Sequence, residues 1–337
     1  MTDNLLEGAK GDRALDSGYA QPPPRMGFFT DTSVCIGCKA CEVACKEWNL
    51  IPDDGLALLG MSYDNTGMLG ADTWRHVAFI EQDRPLGRQN NAVALMPTGP
   101  SASGHTAQVV AAGLGPEHGA RLGTETGATR LAPSPDGGPR QPVGADGRTE
   151  LRWLMASDVC KHCTHAACLD VCPTGSLFRT EFGTVVVQED ICNGCGYCVP
   201  ACPYGVIDQR KDDGRVWKCT LCYDRMTGSQ EPACAKACPT ESIQYGPLDD
   251  LRERAAHRVA QLHDAGVADA RLYGADPDDG VGGTGAFFLL LDEPEVYGFP
   301  PDPVVTTRDL PAMWRHTAIA AAAVAATVLA AFAGARR

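Results

Sequence analysis

The chain has 337 residues, of which 44% are apolar, so it is long enough for two domains and apolar enough for a core, and a wholly disordered chain is excluded. Its net charge of −13 argues against a nucleic-acid-binding surface. The sixteen cysteines are grouped at short intervals. Eight disulfides would require an oxidising compartment, and we expect no signal peptide in the polar tail, residues 1–24.

The first cysteine group follows the tail, in the segment 25–82, and has the spacing C-x2-C-x2-C-x3-C. Its members are Cys35, Cys38, Cys41 and Cys45. Later in the same segment, residues 74–81 alternate between apolar and polar in the manner of a strand.

A long tract rich in Gly, Ala, Pro, Ser and Thr, residues 83–149, separates this strand from a second one predicted at 151–155. The tract has no sustained period, and structureless loops of this length are unusual inside a compact domain. We predict an insertion carried on a hairpin; the alternative is a segment that covers a partner subunit.

Three further cysteine groups lie in the segment 150–247. Their spacings are C-x2-C-x4-C-x3-C, C-x2-C-x2-C-x3-C and C-x2-C-x11-C-x3-C, and each of them, unlike the first group, ends in Cys-Pro. They are Cys160, Cys163, Cys168 and Cys172; Cys192, Cys195, Cys198 and Cys202; and Cys219, Cys222, Cys234 and Cys238.

A C-terminal extension, residues 248–310, begins with apolar residues at helical spacing, which predicts an amphipathic helix. They are Leu248, Leu251, Ala255, Val259 and Leu262. The glycines at 280–285 resemble a dinucleotide-binding motif only faintly, because that motif requires a helix after it and residues 287–291 are typical of a strand. We predict a turn before a strand.

The terminal segment, 311–335, is apolar, and residues 317–334 carry no charge. A helix of that length measures about 27 Å, just short of the roughly 30 Å hydrocarbon core, and Trp314 would extend it as an interfacial anchor. We predict a single membrane span. The alternative is an alanine-rich helix buried against a partner.

The cysteine spacing predicts iron–sulfur clusters, because C-x2-C-x2-C-x3-C-P is the bacterial ferredoxin pattern for [4Fe–4S]. Three thiolates on a short loop surround one cluster, with Gly194 and Gly196 allowing the tight turn of the third group. The fourth thiolate ligates the other cluster of a pair. Zinc is the alternative, but only the fourth group alone fits it, since four thiolates within eleven residues are too crowded for one tetrahedral site. Four ligands per cluster predict four clusters.

Other polar residues beside the cysteines receive supporting roles. We expect His162 and His165 to make hydrogen bonds around the site or to face solvent, because the cysteine set is already complete without them. Nearby cations raise a cluster's reduction potential, and the candidates are Lys39, Lys46, Lys161, Lys218 and Lys236. No Ser-His-Asp set, phosphate loop or HExxH motif occurs, which indicates electron transfer by a non-catalytic subunit.

Several segments together resemble the iron–sulfur (beta) subunit of respiratory membrane-bound formate dehydrogenases. The resemblance covers the first cluster motif, the fourth group with its flanks and the region after the clusters: residues 35–49, 216–225, 230–239, 258–262, 272–274 and 280–285. The cluster block is shared by beta subunits of several molybdopterin oxidoreductases, whereas the glycine-rich extension and terminal helix are typical of formate dehydrogenases.

The resemblance implies a crossed ligation scheme, in which group one pairs with group four and group two with group three. Cys35, Cys38, Cys41 and Cys238 would hold cluster 1; Cys219, Cys222, Cys234 and Cys45 cluster 2; Cys160, Cys163, Cys168 and Cys202 cluster 3; and Cys192, Cys195, Cys198 and Cys172 cluster 4. Some relatives replace one ligand by Trp; this chain does not, which implies four [4Fe–4S] clusters.

The resemblance also implies an α+β fold of two intertwined bacterial-ferredoxin-like modules with a C-terminal extension and one transmembrane helix. A molybdenum- or tungsten-pterin alpha subunit would oxidise formate, and electrons would pass through this chain to a membrane cytochrome b gamma subunit and quinone. The complex would face the extracytoplasmic side, exported through the partner's twin-arginine signal. The alternatives are the equivalent subunit of a sulfur-compound or dimethyl sulfoxide reductase, a stand-alone polyferredoxin, and a structural zinc scaffold.

Overall fold

The computed structural model describes residues 18–53, 55, 63–64, 66–82, 152–305 and 307–334. The predicted insertion, 83–149, and most of the predicted tail, 1–24, lie outside the described residues, so the predictions made for them stay predictions.

The described residues form a mixed α and β fold. The strands are β1 (Met26–Asp31), β2 (Arg75–Gln82), β3 (Arg152–Val159), β4 (Leu177–Arg179), β5 (Val185–Val187), β6 (Asp208–Gln209), β7 (Val216–Trp217), β8 (Ile243–Pro247), β9 (Arg271–Tyr273) and β10 (Ala286–Leu290). The helices are α1 (Ala40–Trp48), α2 (Ala167–Asp170), α3 (Cys198–Ala201), α4 (Tyr223–Thr227), α5 (Ala233–Lys236), α6 (Leu248–Asp264) and α7 (Leu310–Gly334).

A four-stranded sheet in the order β8-β1-β10-β9 forms the core. Strand β1 is parallel to β10 and antiparallel to β8, and β10 is antiparallel to β9. Adjacent side chains of a strand point to opposite faces, yet Phe28 and Phe29 are both fully buried, so both faces of β1 are covered. Phe29 stacks on Phe287 of β10 with ring centroids 5.3 Å apart.

Helix α6 packs against β1 and β8, and four of the five apolar residues predicted for its stripe are buried, whereas Val259 is half-buried. It is also fixed by a buried ion pair, in which Arg258 Nε donates to Asp31 Oδ2 at 2.9 Å. Asp31 in turn accepts from Ser33 N and so caps the short 3-10 turn Thr32–Val34. The sheet and α6 therefore fix the turn that leads directly into Cys35.

The remaining strands of the described residues form three two-stranded ribbons: β2 with β3, β4 with β5, and β6 with β7. The strand predicted at 74–81 is found as β2, and the one predicted at 151–155 continues to Val159. The glycines at 280–285 lead into β10 without a helix, as predicted.

Helix α7 is the terminal apolar helix, and within it Ala312–Ala333 is long and apolar enough to cross a membrane. None of that stretch is buried in this structure. The residues before the helix are held to the body of the chain, because Thr307 donates to Asp170 at 2.6 Å and Arg308 to the Asp279 carbonyl at 2.6 Å.

Candidate functional site

All sixteen cysteines are free thiols, and they gather in four places, which we call the first to the fourth cysteine set. The first gathering is a cavity lined by Cys35, Cys38, Cys41 and Cys238. Burial raises the pKa of Cys35, and the neighbouring Cys238 and Cys38 raise it further, while a hydrogen bond from the Gly37 backbone lowers it. The structure thus brings the last cysteine of group four to the first three of group one.

The second gathering joins Cys45 to the other three cysteines of group four. Burial raises the pKa of Cys45 well above its usual value, and Cys219, Cys234 and Cys222 add to the effect. The amide Nδ2 of Asn49 lies 3.6 Å from the sulfur of Cys45 and 3.9 Å from that of Cys222. The four cysteines of group four therefore do not meet in one place. A zinc ribbon built from that group alone, which its spacing would allow, does not fit this arrangement.

The third gathering is a cavity lined by Cys160, Cys163, Cys168 and Cys202. Burial raises the pKa of Cys163 well above its usual value, with Cys160, Cys168 and Cys202 contributing in that order. Cys202, the last cysteine of group three, therefore sits with the first three of group two.

The fourth gathering consists of Cys192, Cys195 and Cys198 with Cys172. Burial raises the pKa of Cys198 to about 11, with Cys172, Cys195 and Cys192 as contributing neighbours. Cys172 is different: burial raises its pKa, but hydrogen bonds from Ser176, Leu177 and Thr174 outweigh burial and lower it to about 6. This set includes the exposed Cys195.

Each gathering is adjacent to the next. Burial is the largest cause of the raised pKa of Cys41, Cys219 and Cys168. A thiolate of the neighbouring set adds to it in each case: Cys234 for Cys41, Cys160 for Cys219, and Cys198 for Cys168. Consecutive sets are therefore neighbours, in the order one, two, three, four.

The loop geometry of the third cysteine group follows from its glycines. Gly194 and Gly196 both have φ of +71°, the left-handed conformation predicted for a tight turn. A Cβ at Gly194 would lie 2.3 Å from the Gly214 carbonyl oxygen, so no other residue fits that position.

Among the predicted cations, two are buried and three are not. Lys161 is 1% exposed and contacts the rings of Tyr204, Phe288 and Phe299, the last at 4.4 Å. Lys218 is 2% exposed and donates to the carbonyls of Val185 and Cys219. The other three are half-buried Lys39, which pairs with Glu42 at 3.1 Å; half-buried Lys46; and exposed Lys236.

The two histidines lie beside the third set without being needed as ligands. His162 is buried, and its Nδ1 accepts a hydrogen bond from Val185 N at 3.1 Å, which agrees with a hydrogen-bonding role. Burial lowers its pKa well below the usual value, with help from Lys218, Arg179, Arg25 and Arg75, so the ring is neutral. His165 is half-buried.

Sequence reasoning missed Arg75, a fully buried arginine on β2 that contacts the second set. Its Nη2 lies 3.3 Å from the sulfur of Cys234, and its Nη1 donates to Ser157. Arg75 is far from any cysteine in sequence, and its only signal is a charge beside the apolar positions of a predicted strand.

The four sets of cysteine sulfurs fit iron–sulfur clusters as ligands. Each set brings together four cysteine sulfurs, the ligand type and number that such clusters require, and the first and third sets each line a cavity. Nowhere in the described parts of the chain do three or more His, Cys, Asp or Glu side chains converge on the position of a single metal ion. The buried nitrogens Arg75 Nε and His162 Nε2 have no hydrogen-bond partner among the described residues.

Comparison with known proteins also indicates iron–sulfur clusters. Two family models described as 4Fe-4S dicluster domains match residues 34–176 and 151–248. Domains of this kind, with sixteen cysteines, fit four [4Fe–4S] clusters and support electron transfer.

Similar proteins include subunits of bacterial oxidoreductases. The nitrate-inducible formate dehydrogenase iron–sulfur subunit of Escherichia coli is 34% identical over 281 residues, covering 82% of this chain and 73% of that protein. The formate dehydrogenase-O iron–sulfur subunit of E. coli is 33% identical over 327 residues, covering 94% and 86%. The B subunit of the E. coli anaerobic dimethyl sulfoxide reductase is 29% identical over 231 residues, covering 68% and 77%.

Proposed function

This protein belongs to the family of formate dehydrogenase iron–sulfur subunits, and from that premise we propose that it relays electrons from a formate-oxidising subunit with a molybdenum or tungsten pterin to a membrane cytochrome b and quinone. When bound, [4Fe–4S] clusters accept and donate single electrons. The protein's part is to hold them next to one another in a fixed order.

The ligand sets are the core of the proposal. Cluster 1 would be held by Cys35, Cys38, Cys41 and Cys238, cluster 2 by Cys45, Cys219, Cys222 and Cys234, cluster 3 by Cys160, Cys163, Cys168 and Cys202, and cluster 4 by Cys172, Cys192, Cys195 and Cys198. The observation that carries it is the crossing: in every gathering, three cysteines of one group meet the last cysteine of another.

The same crossing supports an arrangement of two intertwined ferredoxin-like modules. One module would join the segment 25–82 to the fourth cysteine group, and the other would join groups two and three. Helix packing supports both pairings, since α1 packs on α5 and α2 packs on α3.

We propose that α7 anchors the chain in the membrane, with the clusters on the extracytoplasmic side. Thr307, three residues before the helix, is bonded to Asp170, which lies between Cys168 and Cys172 in sequence. The start of α7 therefore lies beside sets three and four. This position would direct electrons from those sets towards a membrane partner.

We propose no catalytic role for the chain itself. The described cavities at the first and third sets each have four cysteines in their lining. Formate oxidation would take place in the partner subunit.

The test is purification of the intact complex from membranes under anaerobic conditions, followed by addition of formate. We expect a pterin-containing subunit and a cytochrome b to copurify, and formate to bleach the iron–sulfur absorbance. Clusters that dithionite reduces and formate does not would contradict the formate assignment.

The similarity to the dimethyl sulfoxide reductase B subunit favours one second candidate, the same relay running from quinol to a terminal reductase. Reoxidation of dithionite-reduced complex by dimethyl sulfoxide, with no reduction by formate, would support that candidate instead.

A further inference from the structure

Arg75 lies between the first and second cysteine sets. Its side chain is 2% exposed, and the guanidinium carbon stands 5.0 Å from the centre of the Phe28 ring. One nitrogen donates to the carbonyl and the hydroxyl of Ser157, both at 3.2 Å, and another lies 3.3 Å from the sulfur of Cys234.

No carboxylate of a described residue balances this charge. Among the residues that the structure describes, Arg75 forms no ion pair, whereas the equally buried Arg258 pairs with Asp31 at 2.9 Å and the half-buried Arg210 with Asp72 at 2.7 Å. An arginine cannot escape burial by losing its proton, and an unpaired buried charge is very unfavourable. The counter-charge must therefore come from another anion at this place.

The ionisable groups that act on Arg75 are cysteine sulfurs of two different sets. Burial by itself lowers the pKa of Arg75, but the thiolates of Cys234, Cys41, Cys219 and Cys45 raise it overall. Cys41 belongs to the first set, and the other three belong to the second.

A hydrogen-bond path joins the two sets through the same residue. The hydroxyl of Ser157 lies 3.2 Å from the sulfur of Cys41 and also accepts from Arg75, which contacts Cys234. The contacts therefore run from a ligand of one proposed cluster to a ligand of the next.

We propose that Arg75 is the counter-cation shared by clusters 1 and 2, and that its charge holds the reduction potentials of both clusters above the values they would otherwise have. The proposal rests on the proposed ligand sets. A [4Fe–4S] cluster with four thiolates carries about two negative charges when oxidised and about three when reduced, so a fixed cation stabilises the reduced form more strongly. Clusters 3 and 4 have no described contact with Arg75.

The test is a potentiometric titration of the intact complex, followed by electron paramagnetic resonance, with Arg75→Gln. Signals are assigned beforehand with Cys38→Ser for cluster 1 and Cys222→Ser for cluster 2. We expect the equilibrium constant for reduction of both clusters to fall about tenfold, or about 59 mV for one electron, with clusters 3 and 4 unchanged. Arg75→Lys, which keeps the charge, is expected to recover most of the shift.

The matched control is Arg254→Gln, which removes the same charge from an exposed position on α6 where the side chain contacts Gln244 and no cysteine. It is expected to leave all four potentials in place. Unchanged potentials in an Arg75→Gln complex with its full iron content would overturn the inference and leave the proposed function intact. Absence of the four signals from the unaltered complex would instead refute the proposed function.

If Arg75→Gln loses iron, Arg75→Met takes its place, because an apolar side chain of similar length brings no unpaired polar group of its own into the buried site. Loss of iron in both neutral variants but not in Arg75→Lys would support the inference, since the charge would then be what the clusters need. Loss in Arg75→Lys as well would contradict it, because shape and not charge would then be decisive.

Discussion

Cys41 and Cys45 are four residues apart on α1, so their side chains lie on the same face, one turn from each other. Cys41 contacts Ser157 in the first set, and Cys45 shares Asn49 with Cys222 of the second. A single helical turn therefore spans the distance between two neighbouring sets, which gives the C-x3-C interval its physical meaning.

Changing Cys45 to Ser is expected to alter cluster 2 and leave cluster 1 in place, because Cys45 faces Cys219, Cys222 and Cys234. Electron paramagnetic resonance of the reduced complex checks this, with Cys38→Ser as the variant that alters cluster 1 instead. Loss of the cluster 1 signal in Cys45→Ser would mean that the crossed pairing is wrong.

Gly194→Ala is expected to disrupt cluster 4, since its Cβ would lie 2.3 Å from a backbone oxygen and the residue has φ of +71°. Gly205→Ala is the matched control: its φ is +63°, but a Cβ there meets open space. Only the left-handed backbone conformation is then unfavourable, and it lowers the free energy of unfolding by about 1–2 kcal/mol. The two variants are compared by their iron content and by the midpoint of thermal unfolding. Equal behaviour of the two variants would show that the contact with Gly214 is unimportant.

At the scale of elements, the junction of α6 with β1 stabilises the entry to the first cysteine group. Arg258 and Asp31 are both buried, and Asp31 also caps the turn Thr32–Val34 before Cys35. The ion pair joins residues that are 227 positions apart, so it transmits the packing of the helix to the cluster loop.

Arg258→Ala is expected to destabilise the protein by about 3–5 kcal/mol, because it leaves the buried Asp31 carboxylate unpaired. Arg271→Ala removes an exposed pair with Glu293 and is expected to cost at most about 1 kcal/mol. Thermal denaturation of the purified complexes compares the two. A similar small loss in both variants would contradict the structural role of the buried pair.

At the scale of the whole molecule, α7 is the feature that the other described residues do not cover. Its apolar stretch Ala312–Ala333 is exposed, although the residues just before it are bonded to the body of the chain. An exposed apolar surface of this length is most stable in a lipid bilayer.

A chain that ends before Thr317 is expected to move from the membrane fraction to the soluble fraction when it is produced without partner subunits. The truncation removes most of α7 and none of the cysteines. The truncated and the full-length chain are compared by membrane fractionation. Their iron content shows whether each has folded. Equal distribution of both chains would favour the stand-alone soluble polyferredoxin.

The sequence predicted features that depend on local spacing and left out those that depend on distant contacts. Periodicity was enough for β2, for α6 and for the turn before β10, and the cysteine intervals were enough to predict clusters. Arg75, Ser157 and the pairing of Arg258 with Asp31 could not be predicted, because their roles depend on contacts between residues 82 to 227 positions apart. The crossed ligand sets came from family resemblance, since spacing alone shows only that clusters are paired.

The most direct test of the central claim, a four-cluster electron relay, is a stepwise reductive titration of the purified complex with iron counted per chain. Sixteen cysteines at four per cluster predict about sixteen irons and about four electron equivalents taken up by this subunit. A chain that contains zinc in place of iron, or that takes up fewer than four electrons with all its irons present, would contradict the account.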